Sequence, residues 1–528
     1  MLSLQHITYF HPDKELLFDD ISFSINKHEK IALVGNNGSG KSTLLKILAG
    51  ELQPSSGTVK ADAKPYYIPQ LFGQHNDLTI AQALQIDSKL NALKEILAGN
   101  VTEANMNTLD DNWTIEERCY EVLANWQLEG LYLEQKLSSL SGGQKTKVFL
   151  AGIDIHQPEV VLMDEPSNHL DAAGRMLLYN YVSKANATLI VVSHDRTLLN
   201  LLNTVYELSK HNINIYGGNY EFYREQKAIE AEALNSDLRS KEKALRKARE
   251  IERETIERQQ KLDARGRKKQ DNAGVPTIML NTLKNNAEKS TSRIKDAHAE
   301  KTNSLAKDLN ELRKELPDKN KMKIGFDDTS LHRGKVLLTA RDINYSYDET
   351  LLWQLPVSFQ LTSGKSIAIK GANGSGKTTL IKIIMGALQP TAGNMERAAA
   401  NIIYIDQDYT LIQNAKTVYE QALAYNTANL PEHEVKSRLT HFLFTKESWD
   451  KSCDALSGGE RMRLILCCLT LSQQAPDIII LDEPTNNLDL QNIEILTNAI
   501  SDYKGTLVVV SHDAYFLEQI GIDEFIQL

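Results

Sequence analysis

The stretch Gly35-Asn36-Asn37-Gly38-Ser39-Gly40-Lys41-Ser42 decides the fold of the first half of this 528-residue chain. It matches the phosphate-binding pattern GxxxxGK[ST], and it lies between an apolar run typical of a strand, Ile31 to Val34, and a helical run that begins at Thr43. In this context the glycines let backbone N–H groups close on phosphate oxygens, the lysine reaches the terminal phosphates, and the hydroxyl of Ser42 can ligate Mg²⁺. The stretch therefore predicts an α/β nucleotide-binding domain.

The same pattern occurs a second time, as Gly371-Ala372-Asn373-Gly374-Ser375-Gly376-Lys377-Thr378, after the apolar run Ile367 to Ile369 and before a helical run that begins at Thr379. Two such loops in matching context predict an ATP or GTP enzyme with two nucleotide sites per chain. All residues of both loops, together with Thr43 and Thr379, are candidate nucleotide-binding residues.

Further motifs follow each loop in the same order. A glutamine comes 29 residues after Lys41 and 30 residues after Lys377, and a Leu-Ser-Gly-Gly sequence follows it. Next come an apolar strand that ends in Asp-Glu and, 29 residues after the glutamate in both halves, the histidine of a Ser-His-Asp sequence. The motif residues are Gln70, Ser141, Gly142, Gly143, Asp164, Glu165 and His194 in the first half, and Gln407, Ser457, Gly458, Gly459, Asp482, Glu483 and His512 in the second.

The acidic pairs have a chemical reason to stand where they do. An aspartate at the end of a buried parallel strand, here Asp164 or Asp482, can hold the Mg²⁺ that bridges nucleotide phosphates, together with Ser42 or Thr378. The adjacent Glu165 or Glu483 is placed to orient or activate an attacking water. Gln70 and Gln407 are further candidates to sense the metal and the attacking water.

This ordered series resembles the ATP-binding cassette family over about residues 1–222 and 335–528. The resemblance implies two cassettes that close head to tail around two ATP molecules. Lys41 would then share its site with Ser457, Gly458 and Gly459, and Lys377 would share its site with Ser141, Gly142 and Gly143. It also implies that His194 and His512 contact the γ-phosphate. No motif is degenerate, so both sites are predicted to hydrolyse ATP.

The resemblance also implies an aromatic residue that stacks on each adenine. Tyr347 fits this role in the second cassette. In the first cassette the aligned position falls at His11 or Phe10, and a packed core aromatic is an equally good interpretation of Phe10.

Two segments have no counterpart in the other half. The first cassette carries about 21 extra residues within 77–126, which predict a short helical arm or a longer surface loop.

The linker, 223–334, begins with a helical run from Arg224 to Leu262 and ends with leucines at 305, 309, 312 and 316. This spacing is typical of a coiled-coil seam. Gly266, Gly274 and Pro276 are expected to stop the helix, which predicts an antiparallel hairpin with its tip near Ala264 to Ser290.

The net charge of −10 excludes a generic polyanion binder, but the segment from Lys261 to Lys301 has ten basic and five acidic residues. Such a tip can make salt-sensitive contacts to RNA phosphates, although a charged helix can also be merely solvated. The candidate RNA contacts are Arg265, Arg267, Lys268, Lys269, Lys284, Lys289 and Arg293.

Tandem cassettes joined by a long basic helical linker resemble the F subfamily of ATP-binding cassette proteins. This resemblance implies a ribosome-associated ATPase whose linker approaches the P-site tRNA and rRNA. Some members regulate elongation or rescue stalled ribosomes, and others protect ribosomes from antibiotics. Two alternatives remain, the ATP-binding subunit of a membrane transporter and a DNA-binding ATPase.

The remaining features bear on location and assembly. The four cysteines follow no metal-ligand or disulfide spacing, no run approaches the ~18 apolar residues of a membrane helix, and the N-terminus has no signal-peptide pattern. We therefore expect a cytoplasmic protein, a monomer in which the two cassettes pair within one chain.

Overall fold

The structure is a computed structural model that describes residues 1–11, 15–70, 73–270, 292, 296, 299–310, 332–347, 350–486 and 488–528. The chain divides into two compact units, Met1–Glu221 with Met322–Leu528, and Phe222–Lys321. The first unit contains both cassettes, and the second contains most of the linker. None of the helices in the described ranges combines the length and apolarity needed to cross a membrane.

The first cassette is an α/β domain. Its strands are β1 (Leu2–Phe10), β2 (Leu16–Ile25), β3 (Lys30–Val34), β4 (Ser56–Ala61), β5 (Tyr66–Ile68), β6 (Val160–Asp164), β7 (Thr188–Val192), β8 (Thr204–Leu208) and β9 (Ile213–Tyr216). Its helices are α1 (Lys41–Leu48), α2 (Ile80–Ala83), α3 (Asp87–Leu97), α4 (Glu103–Leu109), α5 (Ile115–Asn125), α6 (Gly142–His156), α7 (Ala172–Lys184) and α8 (Arg196–Asn200), with a 3₁₀ turn at Leu137–Ser139.

The linker follows as α9 (Tyr220–Gln270) and a helical stretch, α10, at residues 299–310. The second cassette has strands β10 (Val336–Asn344), β11 (Ser346–Tyr347), β12 (Thr350–Leu351), β13 (Val357–Thr362), β14 (Ser366–Lys370), β15 (Ala392–Arg397), β16 (Ile402–Ile405), β17 (Ile478–Asp482), β18 (Thr506–Val510) and β19 (Glu524–Gln527). Its helices are α11 (Lys377–Ile384), α12 (Val418–Ala424), α13 (Glu432–His441), α14 (Gly458–Thr470), α15 (Leu490–Asp502) and α16 (Ala514–Gln519), with 3₁₀ turns at Lys446–Ser448 and Cys453–Ala455.

A mainly parallel sheet forms the centre of each cassette. The strand order is β5-β6-β7-β3-β8-β9 in the first cassette and β16-β17-β18-β14-β19 in the second. The inner strands β6 and β7 are buried along their whole length, because helices cover both faces of a parallel sheet. The carboxyl ends of β3, β5, β6 and β7 meet at one edge, so the phosphate loop and three of the later motifs are brought together there.

A smaller antiparallel sheet covers one end of each central sheet. Its strand order is β2-β1-β4 in the first cassette and β13-β10-β15 in the second. Apolar side chains of this small sheet, of the central sheet and of α1 form one continuous core in the first cassette. The corresponding core of the second cassette includes α11. The helix after each phosphate loop is therefore fixed between two sheets.

The extra residues of the first cassette are helical. Where the second cassette has only α12 and α13 before its signature motif, the first has α2 to α5. Helix α3 contacts both α4 and α5, and its Leu90, Leu93 and Ile96 are buried. The insertion is thus a helical pair that packs on the cassette.

In the linker unit, α9 is 51 residues long. The prediction that Gly266 stops the first helix is wrong, because α9 continues through this glycine to Gln270. One glycine costs only about 1 kcal/mol relative to alanine, and the arginines on either side are good helix formers.

Lys241 Nζ lies 3.5 Å from Asp308 Oδ2, so α10 runs beside the middle of α9. Gly274, Pro276, Leu312 and Leu316 lie outside the described residues.

Candidate functional site

The two phosphate loops have nearly the same internal geometry. Lys41 Nζ donates to the carbonyls of Gly35 (2.8 Å) and Asn36 (3.1 Å). Lys377 Nζ donates to the corresponding carbonyls of Gly371 (2.8 Å) and Ala372 (3.0 Å). Each lysine is therefore folded over its own loop, at the point where nucleotide phosphates would enter.

Gly40 and Gly376 precede the helices α1 and α11 and have φ values of 94° and 91°. A Cβ at Gly40 would lie 2.7 Å from a Leu17 methyl carbon, and one at Gly376 would lie 2.5 Å from a Leu352 methyl carbon. Glycine is therefore required both by backbone conformation and by close packing. No side chain caps either helix, so the first N–H groups of the helix remain available to an anion.

Asp164 and Asp482 end β6 and β17 and are buried. The hydroxyl of Tyr67 donates to Asp164 Oδ2 (3.4 Å), and the hydroxyl of Tyr404 donates to Asp482 Oδ2 (2.9 Å). Among the described residues, Asp164 Oδ1 has no hydrogen-bond partner. A buried carboxylate with one free oxygen, beside the hydroxyl of Ser42, is a donor set that suits Mg²⁺. The residues present therefore fit this ion.

Glu165 and Glu483 lie immediately after these strands in the left-handed region, with φ values of 51° and 48°. A non-glycine residue held in this region costs about 1–3 kcal/mol, and such strain clusters at functional sites. The backbone N–H of each glutamate donates over 2.8 Å to a carbonyl of the neighbouring strand, that of Val192 or Val510. These bonds fix the backbone of both glutamates at the carboxyl edge of the sheet.

Each glutamate faces the histidine of the Ser-His-Asp motif. His194 Nε2 lies 3.2 Å from Glu165 Oε1, and His512 Nε2 lies 3.5 Å from Glu483 Oε1. Burial raises the pKa of Glu165 to about 8 and that of Glu483 to about 7. Burial lowers the pKa of His194 to about 3 and that of His512 to about 4, and the loop lysines add to this effect. Both imidazoles are therefore neutral at pH 7.

The signature motifs form the N-termini of α6 and α14. Ser141 and Gln144 form a reciprocal capping box, and Ser457 and Glu460 form the same box in the second cassette. Because the serine caps the N–H of the third helical residue, the glycines in the first turn keep their N–H groups free. The motif therefore presents uncapped backbone donors at a helix N-terminus, where an anion is favoured.

A cavity of about 600 Å³ joins the first phosphate loop to the second signature motif. Its lining includes these predicted site residues: Asn37, Gly38, Gly40, Lys41, Ser42, Thr43, Gln70, Asp164, Glu165 and His194 of the first cassette, and Ser457 and Gly458 of the second. Gly35, Asn36, Ser39 and Gly459 are not among the lining residues. Gln407, which the sequence pairs with Lys377, lines this cavity together with Asp408 and Tyr409.

At the second site the roles of the cassettes are exchanged. The side-chain amide of Asn373, in the second phosphate loop, donates to the carbonyl of His169 in the first cassette (3.0 Å). A Cβ at Gly143, in the first signature motif, would lie 3.2 Å from the same amide. The first signature motif therefore lies beside the second phosphate loop. Lys377 Nζ also lies 3.4 Å from His512 Nε2.

The comparisons with known proteins agree with this geometry. The family model described as "ABC transporter" matches residues 18–168 and 355–486, which together exceed half of the chain. The chain belongs to the ATP-binding cassette (ABC) family. It is an ABC ATPase, as the resemblance in sequence implied. The fold predicted from the sequence is also confirmed: two tandem cassettes with a helical linker.

Similar ABC proteins match almost the whole chain. The ATP-binding protein Uup of Haemophilus influenzae is 30% identical, over 96% of this chain and 76% of its own length. The energy-dependent translational throttle protein EttA of Escherichia coli K12 is 29% identical, over 97% and 89%. ABC transporter F family member 5 of Arabidopsis thaliana is 27% identical, over 95% and 71%. These relatives agree with the F subfamily that the sequence resembles.

Solved ABC structures share the fold of the whole chain. The structure described as the complex of an archaeal ribosomal stalk protein with the archaeal ribosome recycling factor aABCE1 has a TM-score of 0.60 and 20% identity. The match covers 99% of this chain and 87% of that one. At this identity the likeness shows a common tandem-cassette fold.

The predicted adenine-stacking residues differ between the two ABC cassettes. Tyr347 is half exposed, and its hydroxyl lies 3.1 Å from Thr379 Oγ1, beside the second phosphate loop. In the first cassette His11 lines the cavity, whereas Phe10 is exposed and is not among the lining residues. Of the two alternatives left open by the sequence, the structure brings His11 to the nucleotide cavity.

Several residues near the ABC sites were missed from the sequence. Tyr67 and Tyr404 bond the metal-site aspartates, and Arg461, Asn168 and Asn486 line the cavity. The two tyrosines could have been found, because each stands three residues before the motif glutamine in its own half. Asn168 and Asn486 had a similar signal, because each stands three residues after the motif glutamate of its own half, whereas Arg461 corresponds to a different residue, Lys145.

The candidate RNA contacts are only partly described. Arg265 is an exposed residue of α9, and Arg267, Lys268 and Lys269 lie in the last turns of the same helix. Lys284, Lys289 and Arg293 lie outside the described residues. The assignment of the basic tip to RNA therefore stays a prediction.

Proposed function

We propose that both ABC sites hydrolyse ATP and that each is completed by the opposite cassette. Glu165 and Glu483 orient or activate the attacking water, and His194 and His512 contact the γ-phosphate. The backbone donors of the opposite signature motif, at Ser457 and Gly458 or at Ser141 and Gly142, bind the same phosphate. The geometry that supports this proposal is the common cavity of Lys41, Glu165, His194, Ser457 and Gly458.

Mg²⁺ would be held by Asp164, Ser42 and Gln70 in one site and by Asp482 and Thr378 in the other. When bound, it neutralises charge on the phosphates of ATP. Tyr67 and Tyr404 orient the two aspartates, and each lysine moves from its loop carbonyls to the terminal phosphates. The neutral histidines can accept or donate a hydrogen bond without adding charge.

We further propose that the chain binds the ribosome in its ATP-closed state, acts on tRNA or rRNA through the linker, and leaves on hydrolysis. The observation that carries this proposal is the cavity shared by Lys41 and Ser457, because an ATP held there is held by both cassettes. The linker joins these cassettes, so closure on ATP sets the separation of its two ends. Its first helix, at about 1.5 Å per residue, spans about 76 Å.

Two relatives support a role in translation. EttA is named a translational throttle protein, and aABCE1 is named a ribosome recycling factor. The basic segment at the end of α9 has the charge needed to contact RNA phosphates. By these names and this charge, the ribosome is a better candidate partner than a membrane transporter subunit or a DNA substrate.

The test is sedimentation of a Glu165→Gln/Glu483→Gln chain through a sucrose cushion with 70S ribosomes and ATP. We expect co-migration with ATP and not with ADP. Replacing Arg265, Arg267, Lys268 and Lys269 by alanine should weaken co-migration and flatten its dependence on salt. The matched control is alanine at Lys243, Arg246, Lys247 and Arg249, four exposed basic residues in the middle of the same helix. Failure of the parent chain to co-migrate would contradict the proposal.

A further inference from the structure

Arg175 of the first cassette lies in the first turns of α7 and is buried, with 8% of its surface exposed. Its Nε donates to the carbonyl of Leu170 (3.3 Å), and its Nη1 lies 3.5 Å from Asp195 Oδ2. Asp195 directly follows His194 and also accepts a hydrogen bond from the hydroxyl of Tyr179. Arg175 therefore connects the residue after the motif histidine to the loop that precedes α7.

That loop reaches the second nucleotide site. His169 is the neighbour of Leu170, and its carbonyl accepts the hydrogen bond from Asn373 in the second phosphate loop. A continuous path of contacts thus runs from Asp195 through Arg175 and Leu170 to His169 and Asn373. It begins beside the histidine of one site and ends in the phosphate loop of the other.

A second arginine strengthens the same junction. Arg196, the residue after Asp195, donates through Nη1 to Gln519 Oε1 of the second cassette (2.9 Å). Its guanidinium carbon also lies 4.9 Å from the centre of the Tyr515 ring. The segment after His194 is therefore in direct contact with the second cassette.

The reverse path lacks these groups. Arg175 stands four residues after Asp171, and the residue four positions after the corresponding Asp489 is Ile493, which is buried in an apolar core. The position that corresponds to Arg196 is Ala514. Neither side chain can bond a carboxylate or a carbonyl, so the arginines of this junction come from the first cassette.

The charge of Arg175 also acts across the cassette boundary. It opposes the rise that burial causes in the pKa of Glu483, and it adds to the lowering of the pKa of His512 that burial causes. Arg175 is not among the groups that shift the pKa of Glu165 or His194. The guanidinium, in contact with Asp195 of the first cassette, thus also acts electrostatically on the second site.

We propose that Arg175 is a positioning residue for the Lys377 site and couples ATP binding at the two sites. When ATP holds the His194–Asp195 segment in place, Arg175 holds Leu170 and His169 against Asn373, and the second phosphate loop is kept in its binding conformation. This inference rests on the proposed assignment of the two ATP sites, and it does not depend on ribosome binding.

The chain contains its own reporter for the second site. The indole N–H of Trp353 donates to the carbonyl of Ser375 in the second phosphate loop (2.9 Å). The parent chain for the experiment is Glu165→Gln/Glu483→Gln. The part of its tryptophan fluorescence that disappears on Trp353→Phe is the signal of Trp353. Its change on titration with Mg²⁺ and ATP measures binding at the Lys377 site, while filtration with labelled ATP counts both sites.

The experiment compares the effect of Lys41→Ala, which weakens the first site, with and without Arg175. In the parent, Lys41→Ala should raise the ATP concentration for half-maximal Trp353 response about 10-fold, within the range of common site couplings. In the Arg175→Met chain the same change should raise it by less than about 2-fold, because the path of contacts is already broken. Arg175→Lys keeps the positive charge but not the planar guanidinium that donates to Leu170 and Asp195 at the same time, so it should behave like Arg175→Met.

Arg118→Met is the matched control, because Arg118 donates to the carbonyl of Ile155 within the first cassette. Coupling should survive this change. The proposal is overturned if Lys41→Ala has the same effect with and without Arg175, or if it has no effect in the parent. Either result leaves the site assignment intact, provided that the parent still binds two ATP molecules. A parent that binds no ATP overturns the site assignment as well. Should Arg175→Met lower the melting temperature too far for titration, Arg175→Lys serves as the test.

Discussion

The two nucleotide sites of this chain are alike in their motifs and different in what surrounds them. Both glutamates have left-handed backbones, both motif histidines lie within 3.5 Å of them, and both signature serines form capping boxes. Yet Arg175 opposes the rise in the pKa of Glu483, whereas no arginine of the described ranges does so for Glu165. The repeated motifs thus determine the local geometry, whereas residues outside them determine how one site affects the other.

The largest expected effect tests whether both sites hydrolyse ATP. Glu165→Gln and Glu483→Gln keep the shape of each side chain but cannot accept the proton of the attacking water. Each should lower the turnover at its own site about 10²–10⁴-fold, the range for loss of a general base. Steady-state ATP hydrolysis and the melting temperature of the ATP-bound chain are the measurements.

The control for this prediction is the double variant, which should still bind two ATP molecules. Full turnover after either single change would show that the corresponding site contributes nothing to hydrolysis. A larger loss with Glu483→Gln than with Glu165→Gln would sharpen the comparison, since the charge of Arg175 lowers the pKa of Glu483 and not that of Glu165.

A smaller effect tests whether the two phosphate loops are equally constrained. Gly40→Ala and Gly376→Ala each force a Cβ into a neighbouring leucine at a positive φ, and each should cost about 2–4 kcal/mol. Gly50→Ala is the matched control, with a φ of 77° and no atom within 4 Å of the added Cβ, and it should cost about 1 kcal/mol.

Melting temperatures of the ATP-free chain give the ranking of these variants. Equal losses for Gly40→Ala and Gly50→Ala would mean that the close approach of Leu17 does not constrain the loop. Unequal losses for Gly40→Ala and Gly376→Ala would break the equivalence of the two loops.

Much of this arrangement could be predicted from the sequence, because the motifs are local patterns that recur in a fixed order. The cross-pairing of Lys41 with Ser457 followed from the resemblance to a family, not from spacing alone. The bonds of Tyr67 and Tyr404 and the path through Arg175 depend on side chains that meet only after the sheets form. The prediction for the end of α9 is wrong at Gly266, because this glycine is counted as a helix breaker together with Gly274 and Pro276 although the residues around it favour a helix.

The smallest expected effect separates the two metal-site aspartates. The hydroxyl of Tyr404 lies 2.9 Å from Asp482 Oδ2, and the hydroxyl of Tyr67 lies 3.4 Å from Asp164 Oδ2. The hydrogen bond of Tyr404 is therefore the stronger of the two. Tyr404→Phe should raise the Mg²⁺ concentration for half-maximal turnover about 10-fold, and Tyr67→Phe only about 2-fold, in keeping with the ~1.5–3 kcal/mol and smaller values of such bonds. Each tyrosine variant is titrated with Mg²⁺ in a chain whose other site is inactive. Tyr404→Phe is therefore combined with Glu165→Gln, and Tyr67→Phe is combined with Glu483→Gln. Equal shifts would show that the difference in bond length has no consequence for the metal.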